Sequence, residues 1–340
     1  MACSGRFGRF VVLTTTHYQD TLREESLHSL QTVILCCPAC GAPELVRGPE
    51  LPAGGEPDVR NFTDSFRCGC GCLYPVRDGV PDLRLPGSQS PAPEFSAERL
   101  RIITEIEALH FWFAGRRAWL DAMMDRYLGT AQTVLDLGCG SGFNARQLSH
   151  RGLKVVALDE RPEGLRELAR TASGITAIQA DARHLPFSDG SFDAVVMLDV
   201  IEHTDDTALL NEVHRVLRRG GMLFLTVPAL PWLWSQRDEA AGHRRRYTRA
   251  GLKRLLGSER LEVRQIGWYQ CWLFPLALAT RLAARRRHKP VELEERIFPV
   301  INSLFSRISR LEARMGTRVS WPWGSSLVAV CQKADSRLGP

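Results

Sequence analysis

The stretch Val134-Leu-Asp-Leu-Gly-Cys-Gly-Ser-Gly142 decides the fold. Its first residues read as a buried strand that runs into a glycine-rich turn and then into a helical pattern beginning near Phe143. Glycines at such a turn let the backbone approach a ligand closely. The spacing is GxGxG and not the GxGxxG of dinucleotide binders, so the surrounding chain has to say what the turn holds.

Between Thr133 and Pro228 short β-rich runs alternate with helical ones: TVLDLG, KVVALD, ITAIQA, FDAVVML and GMLFLTV, separated by segments such as Phe143 to His150 and Ala208 to Leu217. That alternation predicts an α/β fold with a parallel, doubly wound sheet. Leu261 to Ile266 and Ser326 to Cys331 read as two further strands, and the chain between them as a helical insertion at about 268–318. Upstream, Leu100, Ile103, Ile106, Leu109 and Phe113 recur at three- or four-residue spacing and predict an amphipathic lead-in helix from Ala97 to Leu128, broken near Gly115. No solenoid-length repeat is present.

With 340 residues, 44% hydrophobic and 24% charged, the composition excludes disordered and collagen-like chains, and the length suits roughly two domains. The longest apolar run, Cys271 to Ala279, is interrupted by Pro275 and falls short of the roughly 20 residues a spanning helix needs. No transmembrane anchor is expected. The amino terminus has no secretory pattern, which predicts a cytoplasmic protein. Net charge is +6, with one cluster at Arg244, Arg245 and Arg246 and another at Arg285, Arg286, Arg287 and Lys289. This permits anionic partners without requiring nucleic acid.

Acids close the successive strands: Asp136 in the first, Asp159 in the second, Asp181 just after the third, at the edge where open α/β sheets bind ligands. In the order DLGCGSG, LDE, QADARHLPFSDGSFDAVVMLDVIEHTDD and LRRGGMLFLTVP, the sequence resembles the class I S-adenosylmethionine-dependent methyltransferases, type 11-like, over about residues 130–230. The resemblance implies a Rossmann-like seven-stranded sheet. It implies that Asp136, Gly138 and Gly140 line the methionine part of the cofactor, that Asp159 accepts both ribose hydroxyls, and that Asp181 with Ala182 meets the adenine. Cys139, Glu160, Asp199 and Arg116 complete the expected cofactor-binding set. A carboxylate accepts two vicinal hydroxyl protons naturally. A sulfonium already activates its methyl group, so the protein mainly aligns a nucleophile, and a base is needed only where that nucleophile stays protonated.

Asp199-Val-Ile-Glu202-His203 follows the fourth strand. It is similar to the ExxEH segment of ubiquinone-pathway O-methyltransferases and small-RNA 2′-O-methyltransferases, where such groups hold a divalent ion; Asp replaces the first Glu here. Mg2+ or another divalent ion that orients a substrate hydroxyl is one reading; Glu202 and His203 merely shaping the pocket is the other. The catalytic candidates are His203, His243 and Glu202, with either histidine as base. Aromatics beside basic residues in 229–250 suit a partly apolar, anionic acceptor. His110, Trp112, Arg116 and His243 are expected to approach the pocket. Trp268 to Lys289 reads as a lid, a homodimer contact or a membrane-surface helix, the first two favoured.

Six of ten cysteines crowd into one short region, Cys36 beside Cys37-Pro-Ala-Cys40-Gly and the other three in Cys68-Gly-Cys-Gly-Cys72, which points to metal binding rather than disulfides. With the following YPVRDGVPD, the segment resembles the zinc ribbon found alone as a methyltransferase activator and fused ahead of some bacterial methyltransferases. Cys37 and Cys40 are the firmer ligands and Cys70 joins them by its distance to Tyr74. The fourth stays open between Cys68 and Cys72, with Cys36 a spare. A ribbon this small needs its metal to fold, so the Zn2+ is expected to be structural. The expected division is an N-terminal extension (1–30), the ribbon (31–86), a proline-rich linker (87–97) and a methyltransferase domain (98–334).

The expected function is methyl transfer from S-adenosylmethionine to oxygen or nitrogen of a small-molecule or natural-product acceptor. The alternatives are an RNA or peptide methyltransferase that recruits substrate through the ribbon, and a non-catalytic binding module.

Overall fold

The computed structural model describes residues 33–43, 45–49, 64–88, 104–276, 278–279 and 299–334. The expected N-terminal extension, most of the linker, the second arginine cluster and part of the insertion lie outside these residues. In the amino-terminal part, strands β1 (Leu45–Pro49), β2 (Asp64–Cys68), β3 (Leu73–Arg77) and β4 (Val80–Pro81) form a small antiparallel sheet in chain order.

The large sheet contains β5 (Thr133–Leu137), β6 (Lys154–Asp159), β7 (Ile175–Gln179), β8 (Phe192–Leu198), β9 (Leu217–Pro228), β10 (Leu261–Tyr269) and β11 (Ser326–Lys333). Their order is β10-β11-β9-β8-β5-β6-β7. Neighbours run parallel except β11, which is antiparallel to both β9 and β10. Every residue of β5 and β8 is buried, because helices cover both faces of the sheet, and these strands are accordingly continuous apolar runs rather than alternating ones. The chain leaves β5 for β6 and β7, then returns to β8 on the other side of β5. The cleft at the carboxyl ends of β5 and β8 is therefore the topological switch point where ligands of such sheets bind.

The expected strands are all present, with differences at their ends. β9 begins at Leu217, where a helix end was expected, because Leu217 already pairs with Phe192. β10 runs three residues further than predicted, its last residue Tyr269 pairing with Ser326.

The lead-in helix differs more. Helix α1 spans Phe111–Tyr127 without interruption at Gly115, and the break falls at His110, whose extended backbone caps the helix while its Nδ1 accepts from Trp112 N at 3.2 Å. Gly115 instead permits close packing. A Cβ there would collide with the Tyr269 hydroxyl and lie 2.7 Å from Ser309 Cβ. Further helices among the described residues include α2 (Phe143–His150), α3 (Pro162–Thr171), α4 (Asp206–Val216), α5 (Gln236–Ala240), α6 (Arg249–Ser258) and α7 (Pro299–Met315). Helix α7 lies along α1 in the same direction, joined by Asn302 Oδ1 to Phe111 N (2.9 Å) at one end and by Arg126 to the Thr317 carbonyl (2.7 Å) at the other.

The small sheet sits on β7, the terminal strand of the large one. Leu83 N donates to Gln179 O at 2.7 Å and Cys36 N to Pro186 O at 3.0 Å. Leu35, Phe66, Tyr74 and Leu83 share one hydrophobic core with Leu158, Ile178 and Phe187. Among the described residues no helix is long and apolar enough to cross a membrane.

Candidate active site

The turn after β5 is shaped by contacts that only glycine permits. Gly138, Gly140 and Gly142 all have positive φ, at 72°, 54° and 76°. A Cβ on Gly142 would collide with Leu168, and one on Gly164 of α3 would collide with the Gly140 carbonyl, so α3 presses directly on the loop. A Cβ on Gly140 would meet nothing within 4 Å: the loop faces open space there.

Acids stand at the carboxyl ends of β5, β6 and β7, and one of them, Asp159, contacts the turn directly. Asp136 is buried and its Oδ2 has no partner; burial first, then the nearby Glu107 carboxylate, push its carboxyl up to about 7. Asp159 accepts from Gly140 N and Arg161 N, both at 2.9 Å, which ties the end of β6 to the turn. Burial raises its carboxyl, opposed by those two N–H groups. Asp181 is held bidentately by Arg183, with contacts of 3.0, 3.1 and 2.7 Å; these bonds overcome burial and lower its carboxyl. Glu160 stands beside Asp181, and burial plus that like charge raise its carboxyl. Cys139 is buried, with its thiol pushed far up by burial, so it offers the turn its backbone. Ala182 is half-buried beyond β7.

A second layer comes from α1 and β8. Arg116 is buried, stacks on Trp112 and Phe113 at 4.8 and 5.1 Å, and pairs with Asp199 at 2.8 Å and Glu107 at 3.5 Å. Asp199 has φ of 58°, a left-handed conformation that Asp tolerates better than most residues and that aims its carboxylate at the arginine. Glu107 also accepts from the Ser141 hydroxyl, which joins the segment before α1 to the glycine turn. Sequence reasoning missed Glu107. The available signal was its place four residues after Ile103, on the apolar side of the expected helix.

The third group gathers the catalytic candidates. Glu202 is fully buried and neither carboxylate oxygen has a partner. Burial, then Asp199, push its carboxyl well up. His243 Nε2 lies 3.9 Å from Glu202 Oε1, and the His203 and His243 rings are 4.9 Å apart. His203 Nδ1 is 3.2 Å from the Gly242 carbonyl. A carbonyl only accepts, so Nδ1 carries the proton and Nε2 a lone pair. Burial, then His243, depress the His203 imidazole to about 4, so it is neutral at physiological pH.

His243 is oriented by Asp238, whose Oδ1 faces its Nδ1 at 3.0 Å and also accepts from Arg246 Nε at 2.7 Å. These bonds hold the Asp238 carboxyl well below the usual range despite burial. Asp238 is itself fixed by a capping box with Ser235 at the start of α5. Arg244 N donates to Glu202 O at 2.7 Å and pins the 229–250 loop over β8. Asp238 was not singled out from the sequence, though its five-residue spacing to His243 was visible. Glu202, His203 and His243 each have a ligand atom within 4.8 Å of the others, whereas Asp199 points to Arg116 instead. His110 is the cap of α1 rather than a group shown in the cleft.

In the ribbon, Cys37, Cys40, Cys68 and Cys70 come together with sulfurs within 4.8 Å of one another; Cys37 and Cys70 are 3.7 Å apart, Cys40 and Cys68 3.5 Å. Cys68 takes the position the sequence left open, and Cys72 stands outside the four. The Cys72 backbone N–H, the strongest of several hydrogen bonds, pulls the Cys70 thiol down to about 6. Cys36 Sγ turns away toward Ser188 Oγ at 3.2 Å.

Residues 135–225 match the family described as a methyltransferase domain. An uncharacterized methyltransferase of Mycobacterium bovis is 37% identical over 129 residues, 38% of this chain and 50% of that protein. A ubiquinone biosynthesis O-methyltransferase of Xanthomonas oryzae is 38% identical over 100 residues, 27% of this chain and 41% of that protein. The chain spans about half the length of the curated relatives it matches. A solved Haemonchus contortus phosphoethanolamine N-methyltransferase 2 in complex with S-adenosyl-L-methionine aligns with a TM-score of 0.47 at 17% identity, over 77% of this chain and 62% of that one. Residues 135–225, which hold the glycine turn and the strands around it, are thus similar to the methyltransferase-domain family and to S-adenosylmethionine-dependent relatives.

Proposed function

We propose that this protein transfers a methyl group from S-adenosylmethionine to an O–H or N–H of a small, partly apolar acceptor. One observation carries the reading: the buried Asp136 Oδ2, which has no hydrogen-bond partner, ends the strand whose turn opens onto free space at Gly140. Unpaired buried carboxylate oxygens cost free energy that a ligand with donors would recover. The residues fit the cofactor: Asp136 and the glycine turn would hold the methionine part, Asp159 has lone pairs left for the ribose hydroxyls, and Asp181 and Ala182 flank the adenine position. Bound there, S-adenosylmethionine supplies a methyl group already activated by its sulfonium.

The chain's own residues then position and deprotonate. Glu107, Ser141 and Arg116 close the cleft from the α1 side. His203 Nε2, kept neutral by burial, accepts the acceptor's proton. His243, held by Asp238, faces Glu202 across 3.9 Å at the rear of the pocket. Trp232, 55% exposed on the 229–250 loop with its ring edge-on to Phe274, is the candidate apolar face for the acceptor.

A second reading has its own observation. Glu202, His203 and His243 are spaced as ligands for a divalent ion, and both imidazoles are oriented through the opposite ring nitrogen, as metal-bound histidines usually are. Such an ion would lower the pKa of an acceptor hydroxyl. In the ribbon, Cys37, Cys40, Cys68 and Cys70 would hold a structural Zn2+, their four sulfurs being the donor set that this ion favours.

The test combines calorimetry with labelled-methyl transfer. Binding of S-adenosylmethionine with labelled product is expected; absence of binding at millimolar donor would defeat the proposal. Retention of full activity after chelation would remove the divalent ion.

A further inference from the structure

Helix α7 has an inverted surface. Successive residues of an α-helix are turned by about 100°, so Val300, Leu304, Leu311 and Met315 fall within a strip about 60° wide. That strip faces solvent, with 83%, 55%, 51% and 38% of each residue exposed. The opposite side, with Ser306, Ser309 and Ala313, is the buried one. A helix of a soluble domain ordinarily places its aliphatic strip inward and its serines outward.

The flank of the exposed strip is cationic. Arg307 and Arg314 stand exposed along one side of it, and neither forms an ion pair among the described residues. The only acid of α7, Glu312, is turned inward, accepting from Cys271 N at 2.6 Å and Trp272 N at 3.1 Å. At the carboxyl end of the helix Trp272, 39% exposed, meets Trp321 edge to face with ring centroids 5.5 Å apart. An exposed aliphatic strip, arginines without an ion pair among the described residues and half-exposed tryptophans at one end form the combination that settles at the boundary between lipid headgroups and acyl chains.

We infer that α7 docks this protein on an anionic bilayer surface, the apolar strip entering the headgroup region and the arginines meeting lipid phosphates. A second copy of the chain fits less well as the occupant. It would cover the strip, but its own α7 offers no outward acid to the arginines. The inference concerns where the protein sits and does not depend on which acceptor is methylated.

The experiment is co-sedimentation of the full chain with vesicles of phosphatidylglycerol and phosphatidylcholine in equal parts, against pure phosphatidylcholine, at low and high salt. Binding to the anionic vesicles is expected, weakened by salt. Leu304→Glu with Leu311→Glu should reduce it by at least about tenfold. Arg307→Ala and Arg314→Ala should each reduce it by about fivefold. Donor binding by calorimetry, unchanged in all variants, shows that they fold, and the arginine variants keep the test open should the double glutamate variant not fold. Failure to bind anionic vesicles, or binding indifferent to these substitutions, overturns the inference. So does a concentration-dependent dimer that the leucine substitutions dissociate without any vesicle binding.

Discussion

Asp136→Asn isolates the cost of burying the acid at the heart of the donor cleft. Asp136 is 2% exposed, and its carboxyl is pushed from the ordinary 3.8 to about 7 by burial and by Glu107. Below pH 3.8 the group is neutral in both folded and unfolded chains and costs nothing. As pH rises, the unfolded chain releases the proton first, so the fold loses stability until the native carboxyl also ionises near 7, about 4 kcal/mol in all and about 3 of it between pH 5 and 8. Asparagine cannot ionise. Its amide would leave a buried donor where Oδ2 stands, costing about 1–3 kcal/mol, but equally at every pH. Urea unfolding of donor-free protein at pH 5 and 8 should therefore show the wild type losing about 3 kcal/mol more than the variant across that interval. Contributions of Glu202 and Asp159 are common to both proteins and cancel in the comparison. Parallel pH dependence of the two, within about 0.5 kcal/mol, would refute the buried and uncompensated state assigned to this group.

Three other outcomes follow from the geometry. Gly140→Ala should cost only about 1–2 kcal/mol of stability for its left-handed backbone, yet weaken donor binding at least tenfold by calorimetry, because its methyl group enters the open space. His203→Ala should lower kcat by about 10²–10⁴ with donor affinity intact, read by labelled-methyl transfer beside calorimetry; an unchanged rate removes His203 as base. Cys70→Ser should lose zinc measured by elemental analysis, while Cys72→Ser retains it, since only Cys70 stands among the four sulfurs.

The central strands were legible because both faces of this sheet are covered, which writes each strand as an apolar run that needs no register to detect. The acids Asp136 and Asp159 were legible for a related reason: a charged residue at the end of such a run must sit on the rim. What escaped depended on distant partners. The choice of Cys68 and Cys70 over Cys72 is not in the spacing, because CxCxC lets several pairs reach one point and the turn around Gly71 selects among them. Gly115 read as a break because glycine disfavours helix, but Tyr269 and Ser309, which press on it, come from strands and helices more than 150 positions later. Glu107 carries no local motif and Asp238 only that of a helix cap with Ser235, so both acquire their place in the site only when Ser141 and His243 reach them.

The charge distribution of the cleft bears on which ligand it can hold. Glu107, Asp136 and Asp199 gather around one buried cation, Arg116, and Glu202 lies near enough for the same arginine to lower its carboxyl slightly against burial. Burial answers part of this excess by raising the carboxyls of Asp136 and Glu202, a shift that an incoming positive charge would oppose. A donor whose sulfonium and ammonium outweigh its single carboxylate therefore gains from the site, whereas the product, having lost the sulfonium charge with its methyl group, gains less. The same carboxylates that make the empty cleft costly would bias the exchange of spent for fresh donor, and the bias should fade as pH falls and the acids neutralise themselves.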